Sequence, residues 1–295
     1  MNKIFCISVD IMNSDKPPAS LAFLAGACEK ANCDYRITSL NHFLMLSYSQ
    51  SEMEQIYESL TDKKGFTLEV ENIITNALKK LCNDILLYQP ELLLVSVFSY
   101  WQKSFTKILL QTVKLNFPNL KVFAGGPGIL IKDENSKTFG FKLLKENLLD
   151  YYCLGEGDLV LPDFLRGNLN QLGINDKNTK FESWVPQLKD LDNHYLLPSY
   201  KKIKTEKYYN YEQKLSTVYT IITSRGCVRD CSFCDIANIW EKFAFRSGKN
   251  VVNEILHHHL EVGAVHFYIA DSLINGSLKQ DRKSTRLNSS HVSES

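Results

Sequence analysis

Residues 92–128 read LLLVSVFSYWQKSFTKILLQTVKLNFPNLKVFAGGPG. Leu92–Val97 is a short apolar run rich in strand formers, and it closes on Phe98, Ser99, Tyr100 and Trp101. Phe105, Ile108, Leu109 and Thr112 then recur at i, i+3, i+4 and i+7, the spacing of one helix face. A second short apolar run, Lys121–Ala124, ends in Gly125-Gly126-Pro127-Gly128. A strand, a helix and a strand at this spacing form a parallel pair with the helix crossing over one face.

The same alternation extends in both directions. Ile4–Val9, Tyr35–Thr38 and Tyr151–Leu154 are further strand-like runs. Leu21, Leu24, Ala25 and Cys28 form a helical stripe, as do Ile73, Ile74, Ala77, Leu78, Leu81 and Ile85. The expected fold is α/β, a flavodoxin-like doubly wound parallel sheet with strand order 2-1-3-4-5. Ligands of such sheets bind beyond the carboxyl ends of the strands, where the first and third part. The unusual residues fall in those loops: Asp10 to Ala19 with Pro17-Pro18, then Ser99 and its aromatic neighbours, then Gly125, Gly126 and Pro127, then Gly155, Glu156, Gly157 and Asp158. Any one glycine-rich loop is adequately explained as a turn. Four at one edge mark a ligand-binding edge without naming the ligand.

The chain has 295 residues, 34 basic and 33 acidic side chains, a net charge of +1 and 44% hydrophobic residues. This is the composition of a soluble protein with room for two domains. The balance gives no electrostatic footprint for nucleic acid or a membrane surface, no run is long enough to span a bilayer, and Met1 to Asp10 reads as a strand rather than a signal peptide. A cytoplasmic protein is expected. Eight cysteines in such a chain are not a disulfide framework; Cys6, Cys28, Cys33, Cys82 and Cys153 sit singly in apolar segments and read as small buried hydrophobes. The expected organisation is a first domain over residues 1–166, a linker over 167–215, a second domain over 216–280 and a tail over 281–295. The linker is polar, carries Pro186 and Pro198, and has Lys201, Lys202, Lys204 and Lys207 diluted by Glu206 and Glu212. The tail, DRKSTRLNSSHVSES, is aperiodic and resembles a translated sequencing adapter. It is expected to be non-native, with the natural protein longer and its second domain continuing past this chain.

Val218–Thr223 reads as a new buried strand ending in Ser224-Arg225-Gly226, and it enters Cys227-x-x-x-Cys231-x-x-Cys234. Three thiolates within eight residues can hold three irons of one small cluster and leave a fourth iron open to a small molecule, whereas most iron–sulfur proteins supply the full set. Structural zinc prefers four closed ligands, and no histidine lies nearby. His257, His258 and His259 come later on a helix marked by Val251, Val252, Ile255, Leu256 and His259, where solvent or packing roles are expected. A redox reading of Cys231-Ser232-Phe233-Cys234 leaves Cys227 unexplained. Ala264–Ala270 is the next strand, ending in Asp271.

Residues 224–234 resemble the signature loop of radical S-adenosylmethionine (SAM) enzymes, including the aromatic before the last cysteine. The Pro-Pro helix entry, Gly125-Gly126-Pro127 and Leu154-Gly155-Glu156-Gly157-Asp158 resemble the cobalamin-binding domain that precedes the radical domain in the B12-dependent branch. Phe245-Arg246-Ser247, Val252-Asn253-Glu254-Ile255 and His266 to Asp271 fit that branch too. The resemblance implies a cobalamin-binding domain followed by the start of a partial (β/α) barrel. It implies that Cys227, Cys231 and Cys234 hold a [4Fe–4S] cluster, with SAM chelating the open iron. Reductive cleavage would then give methionine and a 5′-deoxyadenosyl radical. It places Phe233 near the adenosine and Asp271 where the family contacts the SAM amino group, although Ala270-Asp271-Ser272 replaces the usual Gly-Gly-Glu; a helix N-cap is the competing role for Asp271. Cobalamin contact is implied for Ser99, Gly125, Gly126, Pro127, Gly155, Glu156 and Gly157. The implied partners are a small-molecule or natural-product-like substrate and an electron donor such as a flavodoxin or ferredoxin, with no nucleic acid and no membrane.

The implied activity is radical C–H activation, with methyl transfer one outcome and skeletal rearrangement or cyclisation another. Asp10 to Asp15 lacks the histidine of Asp-x-His-x-x-Gly, and His42 lacks the spacing, so a histidine-ligated cobalt is not supported. Arg225 and Arg229 are open to carboxylate pairing, tuning of a cluster or surface roles. The competing class is a corrinoid-binding sensor or regulatory module without catalysis. A phosphorylated receiver is disfavoured because Ser96-Val97-Phe98-Ser99 carries no acceptor Asp, and a dinucleotide site because Gly-x-Gly-x-x-Gly is missing after the first strand.

Overall fold

The computed structural model describes residues 3–9, 16–39, 41, 44, 48–61, 67–203, 217–229, 231–234, 236–274 and 276. The loop from Asp10 to Asp15, His42, Lys204 to Leu215 and the tail lie outside the described residues. The chain forms two compact units, Met1–Ser14 with Pro18–Val185, and Asp15–Pro17 with Pro186–Ser295.

In the first unit, β1 (Lys3–Ser8), β2 (Asp34–Ser39), β3 (Leu92–Ser96), β4 (Lys121–Gly125) and β5 (Tyr151–Cys153) are parallel, and β6 (Ile174–Asp176) closes the sheet antiparallel to β5. The order is β2-β1-β3-β4-β5-β6, so the five expected strands stand in the expected sequence, and the order of strand addition reverses at β1. Cys6 pairs with Ile37 on one side and Leu94 on the other. All of β3 is buried, as a parallel strand covered on both faces must be.

Alternation along the strands sorts their side chains between two layers. Phe5, Ile7, Leu93, Val95, Val122 and Ala124 join the core built with α3 (Leu68–Tyr88), α4 (Lys103–Asn116) and α5 (Phe139–Lys145). Their neighbours face the other way. Cys6 Sγ lies 3.7 Å from Cys28 Sγ on α1 (Ala19–Lys30), and the Phe123 and Tyr151 rings lie 4.8 and 5.0 Å from the Phe164 ring on α6 (Gly157–Leu165). Helix α2 (Gln50–Thr61) was not among the expected elements, although Met53, Ile56, Tyr57 and Leu60 recur at i, i+3, i+4 and i+7 and Met53 and Ile56 are buried.

Helix α3 shows how sequence sets an element here. Thr67 accepts the Val70 N–H at 3.3 Å, Glu69 and Glu71 sit in the first turn, and the helix stops where Gln89 turns left-handed. Ile73, Ile74, Ala77, Leu78, Leu81 and Ile85 are all buried, the stripe expected from their spacing. Of the single cysteines, Cys6, Cys28 and Cys153 are buried as expected, and burial pushes the Cys153 thiol up to about 12. Cys33 and Cys82 are only half-buried: Cys33 follows the end of α1 and Cys82 stands at the margin of the α3 stripe.

The stretch read as a connector is partly built into the units. On either side of β6, Leu154 N–H donates to Gly173 O at 3.0 Å and Val185 N–H to Leu154 O at 2.8 Å, which ties residues 173–185 to the end of β5.

In the second unit, β7 (Val218–Ile221) runs parallel to β10 (His266–Ile269), with Tyr219 opposite Phe267. A two-residue ladder joins β8 (Ser224–Arg225) to β9 (Ala244–Phe245), antiparallel. Among the described residues it has three helices, α7 (Leu191–His194), α8 (Ile236–Ile239) and α9 (Gly248–Val262). Ser247 caps α9 by accepting the Asn250 N–H at 3.3 Å, and Gly263 ends it at φ 67°. The helix was expected, but its apolar stripe was misplaced. Glu254 and His258 are its buried side chains, while Leu256 is 51% exposed. The reason is polar: Glu254 is ion-paired to buried Arg246, whose guanidinium also donates to Ile222 O at 2.9 Å and lies 3.9 Å from the Tyr195 ring centroid. Among the described residues no helix is long and apolar enough to cross a membrane.

Candidate functional site

At the carboxyl edge of the first sheet the loops expected to meet a ligand are largely occupied with one another. Gly126 has φ 97°, and a Cβ there would stand 2.6 Å from Val97 O; a Cβ on Gly128 would stand 2.6 Å from Val97 Cγ1. Gly155 has φ 95°, and its Cβ would meet Val185 O at 2.5 Å. These glycines therefore serve close approach of chain to chain. Gly125 and Gly157 are different, since a Cβ on either meets nothing nearer than 4.0 Å. Pro127 opens a short 3₁₀ turn, Glu156 is buried and precedes α6, and Ser99 is half-buried.

The loop after β3 shows a residue that the sequence reading missed. Gln102 is 2% exposed, and its Oε1 accepts the N–H groups of both Phe98 and Ser99 at 3.0 Å. That double acceptance fixes the amide orientation and leaves Nε2 without an acceptor among the described residues. Beside it Phe98 and Trp101 expose 54% and 53% of their surface. A glutamine in a loop carries no motif; only the orphaned donor singles it out.

In the second unit the cysteine loop is built from its neck outward. Gly226, at φ 80°, turns the chain out of β8, and a Cβ there would stand 2.5 Å from Lys242 O. The β8–β9 ladder and Gln187, whose amide exchanges two hydrogen bonds with the Lys242 backbone at 2.6 and 2.8 Å, close the other side. Asp271 follows β10 and accepts from Thr223 N at 2.7 Å, from Ser224 N at 3.0 Å and from the Thr223 hydroxyl. Ser224 Oγ donates to Leu273 O at 2.9 Å, and Arg246 N–H donates to Thr223 O at 2.8 Å.

Beyond this neck stand Cys227, Cys231 and Cys234, each a free thiol and each half-buried. Arg229 N–H points to Cys227 Sγ at 3.4 Å, and Cys234 N–H closes a turn on Cys231 O at 3.0 Å. Phe233 is 90% exposed. Arg225 is no surface residue: it is buried, with its guanidinium 5.4 Å from the Tyr195 ring centroid and 5.6 Å from that of Trp240. Arg229 is exposed.

His257, His258 and Glu261 bring three ligand atoms within 4.8 Å of one another. Lys201 Nζ already neutralises Glu261 at 2.7 Å, and His258 is fully buried with Tyr200 edge-on to it at 5.1 Å between centroids. This group belongs to the packing of α9.

No family model matches the chain. Over 93 residues it is 32% identical to cytidylyl-2-hydroxyethylphosphonate methyltransferase of Streptomyces wedmorensis, and over 165 residues 26% identical to the anaerobic magnesium-protoporphyrin IX monomethyl ester cyclase of Synechocystis. These matches cover 31% and 52% of this chain but only 17% and 31% of those enzymes. Two structures of TsrM, a radical SAM methyltransferase from Kitasatospora setae, superpose on 97% of this chain with TM-scores of 0.64 and 0.61 at 16% and 14% identity. One holds tryptophan and a SAM analogue, the other cobalamin and a [4Fe–4S] cluster. The chain spans about half the length, 51%, of those structures. The chain is thus similar in sequence to a methyltransferase and a cyclase, and in fold to a radical SAM methyltransferase.

Proposed function

We propose that the protein is a radical SAM enzyme, cobalamin-dependent, acting by C–H activation and methyl transfer on a small molecule. Residues 216–280 would begin a radical SAM barrel, and residues 1–166 would form a flavodoxin-like cobalamin-binding domain. The observation that carries this reading is the loop of three free, half-buried cysteines held on a clamped neck.

The donor set suits a [4Fe–4S] cluster. Cys227, Cys231 and Cys234 would hold three irons, and the Arg229 N–H would donate to a ligating sulfur, a contact of the kind that tunes cluster potential. A cluster held there would supply one-electron reduction of SAM, and a cobalamin held by the first unit would supply a methyl carrier. The exposed Phe233 ring is free to stack on the adenine, and Gly226 gives the loop its exit from the sheet. Toward cobalamin, the fit rests on the Gln102 Nε2 donor, the exposed Phe98 and Trp101 rings, and the open approach at Gly125 and Gly157. Ser99, Gly126, Pro127, Gly155 and Glu156 would shape those loops. The electron would come from a flavodoxin or ferredoxin in a cytoplasmic setting, where free thiols persist.

Anaerobic reconstitution of the full chain with iron and sulfide is expected to give SAM-dependent 5′-deoxyadenosine. The product should vanish in Cys231→Ala. Cleavage that survives Cys231→Ala overturns the reading. Cobalamin binding seen in the visible spectrum without any SAM cleavage would favour the corrinoid-binding module instead.

A further inference from the structure

We propose that Asp271 is the positioning residue of the cysteine loop, holding its root through hydrogen bonds rather than meeting the amino group of SAM. The inference rests on the cluster reading above and assigns a role within it.

The geometry is specific about which oxygen does what. Oδ1 of Asp271 accepts both backbone N–H groups, from Thr223 at 2.7 Å and from Ser224 at 3.0 Å. Oδ2 accepts the Thr223 hydroxyl. Both oxygens are thus turned toward the segment that leads into Cys227. A carboxylate taking N–H and O–H donors in this way forms charge-assisted bonds, about twice as strong as neutral ones. Ala270 N–H also donates to Ile221 O at 2.9 Å, so the strand carrying Asp271 is itself registered against β7. From the opposite side Arg246 N–H holds Thr223 O, and its guanidinium holds Ile222 O at 2.9 Å. Residues 222–224 are therefore gripped from two sides, two residues ahead of Gly226 and three ahead of the first cysteine. Ligand orientation in metal sites depends on such outer contacts, and their loss costs roughly 10-fold to 100-fold in metal affinity.

The two roles separate by one substitution. In Asp271→Asn the amide oxygen can take the place of Oδ1 and keep both backbone N–H bonds. The amide nitrogen replaces Oδ2, where the Thr223 hydroxyl can turn to accept from it. The clasp survives; the negative charge does not. A residue that meets the SAM ammonium would lose its function in that change.

The experiment uses the full chain, reconstituted anaerobically. Iron per chain, the rate of iron extraction by a chelator, and the change in the electron paramagnetic resonance signal of the reduced cluster on adding SAM are measured for wild type, Asp271→Asn and Asp271→Ala. The clasp predicts that Asn keeps wild-type iron content and an unaltered SAM response. It predicts that Ala loses iron roughly 10-fold to 100-fold faster. An Asn variant with normal iron and no SAM response overturns the proposal and makes Asp271 a SAM ligand. An Ala variant that retains iron like wild type overturns it too. Should Asp271→Ala not fold, the SAM response of Asp271→Asn decides alone. If wild type itself takes up no cluster, the cluster reading fails, an outcome distinct from any difference among the Asp271 variants.

Discussion

Gly226 carries the chain out of β8 with φ 80°, into space where a methyl group would press on Lys242 O. Two costs coincide there, a left-handed backbone and a clash with main chain that cannot rotate aside. Gly226→Ala is expected to destabilise the second unit by about 1–3 kcal/mol, read by chemical denaturation, and to lower iron uptake with it. An unchanged denaturation midpoint would show that the neck yields easily. Glycines were conspicuous in the sequence, but their purpose was not. Gly126 and Gly155 were read as making room for a ligand, and each makes room for another stretch of this chain. The cysteines were legible because their spacing is itself chemistry. Asp271 was legible as a position, whereas the backbone N–H groups it accepts, from residues almost fifty positions earlier, were not.

At the scale of elements, Asp150 joins α4 to β4. It takes Lys114 Nζ at 2.7 Å, Lys121 Nζ at 2.9 Å and Val122 N at 3.0 Å. Burial pushes its carboxyl up, but the hydrogen bonds from Lys114 and Lys121 outweigh this and hold it below the usual range of 3.8. The unfolded chain therefore binds a proton more readily than the folded one. The stabilisation is present above about pH 4 and is lost as pH falls through the lowered value. Asp150→Asn should cost about 1–3 kcal/mol at neutral pH and flatten the acid limb of stability against pH; parallel acid limbs would count against this account. Elements with one clean period were legible, as α3 shows. Strand β6 was not, because three residues ending in Asn175 and Asp176 carry no strand signal and their place is set by pairing with β5. The buried face of α9 was misread because its inward positions hold Glu254 and His258, which hydropathy alone assigns to solvent.

Across the whole molecule the two units differ in how they are held. The first has a six-stranded sheet with helices on both faces. The second, among the described residues, has two sheets of two strands each and leaves Val265, Tyr268 and Ile269 at 57%, 50% and 42% exposure. Paired strands alone are marginal, so the second unit should melt first. Calorimetry with aromatic fluorescence is expected to show two separated transitions, the earlier one raised by loading iron and sulfide; one coincident transition would refute this. The strand order of the first unit followed from alternation of short runs, whereas the second gave only its first strand, helix and second strand. The neck of the cysteine loop has one more consequence. Because β8 and β9 pair across the two ends of residues 226–243, that stretch is a loop closed at its base by a hydrogen-bonded ladder. A residue inserted around Ile236–Ile239 is therefore expected to lengthen the loop without shifting the paired strands at its base.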